Sequence, residues 1–385
     1  MGPTLSESAV ITGDALALRA GELVEVCGKD EILATLDERA ELDGLAFMPE
    51  MLEFCGRQLR VFRRAHKTCD TITGDNVGRR MDNAVHLEGA RCDGSAHGGC
   101  QAACLFFWKE SWLKRVETAR PSLTLRLLEG AGGSTPREGA SQPPCTEETL
   151  QKMTVQKETS GSEEPAYRCQ ITRLLHATKP LPWWEPKQYF QDWLSGNVPL
   201  LVLLRTAFFR TFYQVVHFGR GYRLKVKLYN VFAKLLGEIP YPYESGQLIG
   251  KTPALRLDLQ PGELVRVRPV EQILKTLNGR LNRGLGFSPE MVRYCGDTFR
   301  VRSRVSKIID EKTGKMVHFG NECIILDDVI CRSECASNRL FCPRSIFPYW
   351  REIWLERVDE KPESRPANPD SLDHELPVGY SQGRP

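Results

Sequence analysis

Residues Gly21–Gly56 (GELVEVCGKDEILATLDERAELDGLAFMPEMLEFCG) and Gly262–Gly296 (GELVRVRPVEQILKTLNGRLNRGLGFSPEMVRYCG) repeat one another, differing in length by one residue. Each copy continues through a basic strand and a hairpin into a cysteine-rich segment. Each ends on an aromatic stretch, FFWKESWLKRV (Phe106–Val116) or PYWREIWLERV (Pro348–Val358). Such a duplication means that one supersecondary unit is built twice, so the two copies must fold alike and share their essential residues.

Within each copy the pattern predicts a short strand, a short helix and a hairpin. GELVEV and GELVRVR alternate apolar and polar residues as half-buried strands do. Ile32, Leu33 and Leu36, like Ile273, Leu274 and Leu277, fall on one helical face. Pro49 and Pro289 suit the first turn of a helix, and Ser288 suits its cap. Lys312-Thr313-Gly314 suits a hairpin turn. The aromatic stretches read as a closing helix in each copy. The expected fold is therefore α+β: two tandem, small β-barrel-like (SH3-like) repeats, each with a cysteine cluster and a C-terminal aromatic helix. A linker and a helical middle region join them.

The corresponding segments are a disordered N-terminus (1–18), repeat 1 (19–128) and a flexible linker (129–165) rich in Gly, Ser, Pro and Glu. A helical middle region (166–250), repeat 2 (251–360) and a disordered tail (361–385) follow. A formal charge of +3 excludes a nucleic-acid footprint spread over the whole chain and leaves room only for a local one. The most apolar stretch, Val198–Val216, carries Arg205 and Arg210, so a buried or amphipathic helix is expected there and no membrane span. No charged and then apolar leader opens the sequence, which points to a cytoplasmic protein.

Thirteen cysteines cannot all pair, and without a secretory signal their clustering points to metal. In repeat 1 the candidate ligands are Cys69, Cys92, Cys100 and Cys104, with His97 beside them and Asp93 in reserve; Gly94, Gly98 and Gly99 let the loop bend around a common centre. In repeat 2 they are Cys323, Cys331, Cys335 and Cys342, with Cys335 and Cys342 standing in for Cys100 and Cys104. Ile309 occupies the place of Cys69, and Cys323 on the partner strand is expected to replace it. Four thiolates, or three and an imidazole, suit zinc, and four also suit an iron–sulfur cluster. Cys145 reads as an incidental linker thiol, and Cys55 and Cys295 read as small buried residues at a Cys-Gly bend.

The GELV-V and PEM frames, the Cys-Gly turn and the cysteine-rich loop leading into FWKESWLKRV resemble those of bacterial proteins with duplicated Cys-rich modules; the resemblance implies no activity. No Walker loop, dinucleotide fingerprint, HExxH or GxSxG is present. The expected function is that of a zinc-stabilised binding or scaffold protein. Its second repeat would offer Arg266, Arg268, Arg300, Arg302, Arg304 and Lys307 to an acidic protein or to nucleic acid. The alternative is an iron–sulfur or zinc enzyme of specialised metabolism with its centre in repeat 1.

Overall fold

The strands of the two copies sort into two antiparallel sheets with matching order. In the first, Leu23–Val26 lies between Gln58–Arg64 and Leu113–Arg115; Gln58–Arg64 continues to Ala84–Leu87, and that strand to Trp108–Lys109. In the second, Leu264–Val267 lies between Thr298–Ile309 and Leu355–Arg357; Thr298–Ile309 continues to Met316–Leu326, and Ile324 bridges to Trp350. The registers agree: Leu23 faces Arg60 as Leu264 faces Arg300, and Val26 faces Leu113 as Val267 faces Leu355. Both ladders slip at the same point, between Val61 and Arg63 and between Val301 and Ser303. A shared bulge of this kind bends each sheet the same way. The computed structural model describes residues 16–73, 77–116, 145–156, 165–216, 221–236, 245–336 and 338–358. It is a mixed α/β chain with several antiparallel sheets, a half-barrel sheet among them.

The short helices Lys29–Leu33 and Val270–Leu274 bury the expected faces, with Ile32 and Ile273 at 1% and 0% exposure. The hairpin around Gly314 forms as expected, its two long strands paired from Val301–Leu326 to Ile309–Met316. In repeat 1 the same hairpin is broken. Lys67–Cys69 pairs with Gly78–Arg80, which turns to Lys179–Leu181 of the middle region for its other neighbour.

The aromatic stretches correct the expectation of a closing helix. Each is a short extended segment, a single 3₁₀ turn (Glu110–Trp112 or Glu352–Trp354) and a strand. The Trp spacing suits one helical face, but the turn buries both rings as well. Trp108, Trp112, Trp350 and Trp354 are all fully buried. The turn also aims a buried carboxylate outward. Glu110 accepts the Ala17 and Leu18 N–H groups, and Glu352 those of Leu257 and Leu259. Trp112 Nε1 donates to Thr35 and Trp354 Nε1 to Thr276, both at 2.9 Å. The two copies thus close on one hydrogen-bonded frame.

The expected disordered ends lie outside the described residues for 1–15 and 359–385, as does 117–144 of repeat 1 and the linker. Leu18, assigned to the fraying end, is fully buried. Glu147–Met153 is a helix capped by Thr146 within the expected linker, and Cys145 is fully buried in the first core rather than loose. The middle region holds the helices Lys187–Leu194, Leu200–Val216 and Tyr222–Leu236. Among the described residues no helix is long and apolar enough to cross a membrane.

Candidate metal centre

The PEM frame supplies a residue that spacing did not single out. Pro49 starts a 3₁₀ turn that carries Glu50 beneath the cysteine loop of its own repeat. Glu50 Oε1 accepts the Ala96 N–H at 2.9 Å and lies 2.9 Å from His97 Nδ1, although off the line of a straight hydrogen bond. The other ring nitrogen, His97 Nε2, is 3.4 Å from Cys92 Sγ. His97 is 2% exposed. Among the described residues, Glu50, Cys92 and His97 are the one group of three His, Cys, Asp or Glu whose ligand atoms lie within 4.8 Å of one another. The loop can make this turn because Gly94, Gly98 and Gly99 all have positive φ. A Cβ on Gly94 would stand 2.2 Å from the Cys100 carbonyl oxygen, so no other residue fits there without displacement.

Cys92 and His97 share a cavity of about 40 Å³ with Cys100, Cys104 and Cys169. Cys169 belongs to the middle region and was not among the expected ligands. It stands where Cys69 was expected, and its lone position beyond the linker gave no spacing signal. Burial pushes the Cys104 thiol up to about 12 and the Cys169 thiol up to about 11, and raises Cys92 as well. The Glu50 carboxyl is held below its ordinary range: burial opposes this, but His97 and the Ala96 N–H prevail.

Cys69 lies elsewhere. Its N–H donates to Cys342 Sγ at 3.1 Å, and it lines a cavity of about 320 Å³ with Cys331, Cys335 and Cys342 of repeat 2. The mirror contact joins Ile309 N–H to Cys100 Sγ at 3.4 Å. Each repeat's cysteine loop therefore packs on the other repeat's strand, at equivalent positions. This exchange corrects the sorting of the thiols into one set per repeat. It also corrects the pairing between loops. Cys92 N–H donates to Cys104 O and Cys331 N–H to Ile346 O, each at 2.8 Å. Glu50 holds Ala96 N–H, and Glu290 holds Cys335 N–H. Hence Cys342 answers to Cys100, Cys335 to Ala96, and Ile346 to Cys104.

Cys323 does not join either set. It pairs with Val305, four residues along the strand from Ile309, and strand residues rise about 3.4 Å each. Its sulfur instead accepts from Arg351 Nη1 at 3.4 Å. Asp93 accepts the Ser95 N–H and shapes the loop. Cys55 and Cys295 are half-buried beside Gly56 and Gly296, both at positive φ.

The basic residues of repeat 2 are engaged within the chain. Arg266 faces Glu356, Arg302 faces Asp327, and Arg304 meets Glu322, Glu352 and Asp258. Arg268 donates to Leu355 O, Arg300 to Gly262 O, and Lys307 Nζ to Gly98 O at 2.8 Å. Several of these repeat in the first copy: Arg60 donates to Gly21 O, and Arg64 meets Glu110. They serve the frame. No protein-family model matches the sequence, and no curated protein is similar to it.

Proposed function

We propose that this chain is a metal-binding scaffold, two SH3-like modules held by a zinc ion at Cys92 and His97 that the thiols of Cys104 and Cys169 complete, with Cys100 beside them. One observation carries the reading: His97 lies between a carboxylate at Nδ1 and a thiol at Nε2, inside a cavity lined by three further thiols. A metal-binding histidine typically has its second ring nitrogen held by a carboxylate, which fixes the ring and strengthens the donor. Thiolates and one imidazole are the donor set of structural zinc. A cavity of about 40 Å³ suits a single ion better than a cluster. The ion would join the first repeat's loop to the middle region, beside the second repeat's strand at Ile309.

The same three residues also have the order of a nucleophilic thiol, a base and an orienting acid. The extra thiols favour the first reading. A nucleophile has no use for neighbours of its own kind, whereas a tetrahedral ion on Cys92 and His97 needs two of them. Partner binding through repeat 2 draws less support, because an acidic protein or nucleic acid would have to displace internal carboxylates from Arg266, Arg302 and Arg304.

The test is elemental analysis of the full-length protein purified without chelator. Zinc should accompany it, and His97→Ala and Cys169→Ser should each release that zinc. A metal-free protein whose Cys92 is alkylated rapidly at neutral pH would favour the nucleophile.

A further inference from the structure

We infer that the chain holds a second thiolate metal centre, shared between its two repeats, at Cys69, Cys331, Cys335 and Cys342. These four thiols line one cavity of about 320 Å³, yet one comes from the first repeat's hairpin and three from the second repeat's loop. Among the described residues no ladder of strand hydrogen bonds joins those two segments. What joins them is sulfur and the charge around it.

The surroundings suit bound thiolates better than packed thiols. The Cys69 N–H already donates to Cys342 Sγ at 3.1 Å, and Arg344 Nη1 lies 3.8 Å from Cys69 Sγ. Hydrogen bonds of this kind, aimed at sulfur, stabilise thiolates that carry metal. Arg344 is 3% exposed, and besides Cys69 it meets Glu311 and Thr71. Arg339 lines the same cavity and donates to Asp70 O. Four thiolates around a divalent ion leave a net double negative charge. Burying that is costly unless cations stand beside it. Two guanidinium groups do so here. Small apolar residues filling a core would bring neither arginine in.

Glu290 supplies an independent pointer. It answers to Glu50, is 8% exposed, and clamps the loop through the Cys335 N–H. Its Oε2 is buried without a hydrogen-bond partner on a residue that lines the cavity. A bare cation entering among the thiols would be attracted to that oxygen, and with four thiolates bound the carboxylate stays outside the tetrahedron.

The spacing bears on which centre is bound. No three of these sulfurs lie within 4.8 Å of one another, while a zinc tetrathiolate with bonds of about 2.3 Å needs a tighter group. Zinc would therefore draw the loop inward, and an iron–sulfur cluster would span the wider opening. Both use the same ligation, and colour separates them.

The experiment uses the full chain, purified anaerobically, with metal and sulfide content measured beside the visible spectrum. Cys69→Ser and Cys335→Ser should each remove the second metal and leave the first. Cys169→Ser should do the reverse, so a silent Cys169→Ser would sink only the first centre. Iron with acid-labile sulfide and visible absorption identifies a cluster, and zinc in a colourless protein identifies an ion. Unchanged metal content in both Cys69→Ser and Cys335→Ser overturns the inference, as does a Cys323→Ser loss of the same size. Should a serine variant be recovered unfolded, cobalt titration of metal-stripped Cys169→Ser protein decides. Thiolate-to-cobalt charge-transfer bands are expected, and their absence rejects the site.

Discussion

In the first repeat the cysteine loop runs from Cys92 to Cys104 and turns on three glycines; in the second it runs longer, from Cys331 to Ile346, and makes the turns that match Gly94 and Gly99 at Ser333 and Phe341. The β frames beneath them agree to the register of a bulge and to the hydrogen bonds of a buried tryptophan. The loops differ because each is held by the other repeat's strand, where Cys69 in one half answers to Ile309 in the other. A sulfur could thus move from one cavity to the other without changing either frame. Duplication here preserved architecture and redistributed the thiols. The likeness of the frames and the unlikeness of the loops can be broken separately.

The largest effect should come from the frame. Trp112→Ala and Trp354→Ala each remove a fully buried ring and its bond to Thr35 or Thr276. Each should cost about 3–5 kcal/mol of stability in urea unfolding. The two losses should agree to within about 1 kcal/mol if the frames are energetic equivalents as well as geometric ones. A cost confined to one of them would show that only one repeat relies on this frame.

Next in size is a contrast between the loops. Gly94 and Ser333 occupy the same turn with φ of 75° and 53°. Gly94→Ser brings in the residue that repeat 2 already uses, yet its Cβ would press on the Cys100 carbonyl. That change should cost about 2–3 kcal/mol and lower the metal content of the first centre. The reverse change, Ser333→Gly, gives up only a 3.5 Å contact with Cys331 Sγ and should cost no more than about 1 kcal/mol. Equal costs would mean that the loops are interchangeable after all.

Much of this frame was legible in the sequence because it is local. The strand alternation, the helical face of Ile32 and Leu36, and the Gly314 hairpin each depend on residues a few positions apart. The aromatic stretch misled because a strand, a turn and a strand bury Trp108 and Trp112 as fully as a helix would. The thiol sets were legible as chemistry but not as membership. Whether Cys69 joins Cys92 or Cys342 depends on which strand a loop packs against, and no periodicity encodes that. Cys169 lay beyond a linker with no spacing to mark it. Glu50 and Glu290 were visible in both copies of PEM, and the signal that would have exposed them was their shared position before a cysteine loop.

The smallest expected effect is a pH dependence that only the first repeat should have. His86 and Ile325 sit at the same ladder position, facing Arg63 and Ser303. His86 is fully buried, with Nδ1 2.9 Å from Phe106 O and its ring centroid 4.4 Å from that of Phe107. Burial pushes its pKa down to about 3; Arg344, Arg91 and Arg63 push the same way, against the Phe106 carbonyl. An unfolded histidine titrates near 6.5. Between these values the unfolded chain binds a proton that the folded chain refuses. The contribution of His86 to stability is therefore fully present above about pH 6.5 and falls as the pH drops toward 3. Going from pH 7 to pH 5 should cost about 1–2 kcal/mol through this one group. His86→Ile, which installs the second repeat's residue, should flatten that part of the stability curve while leaving the registers of both sheets unchanged. An unaltered slope in the variant would mean that the folded chain protonates His86 as readily as the unfolded one does, and that the acid sensitivity belongs to another group.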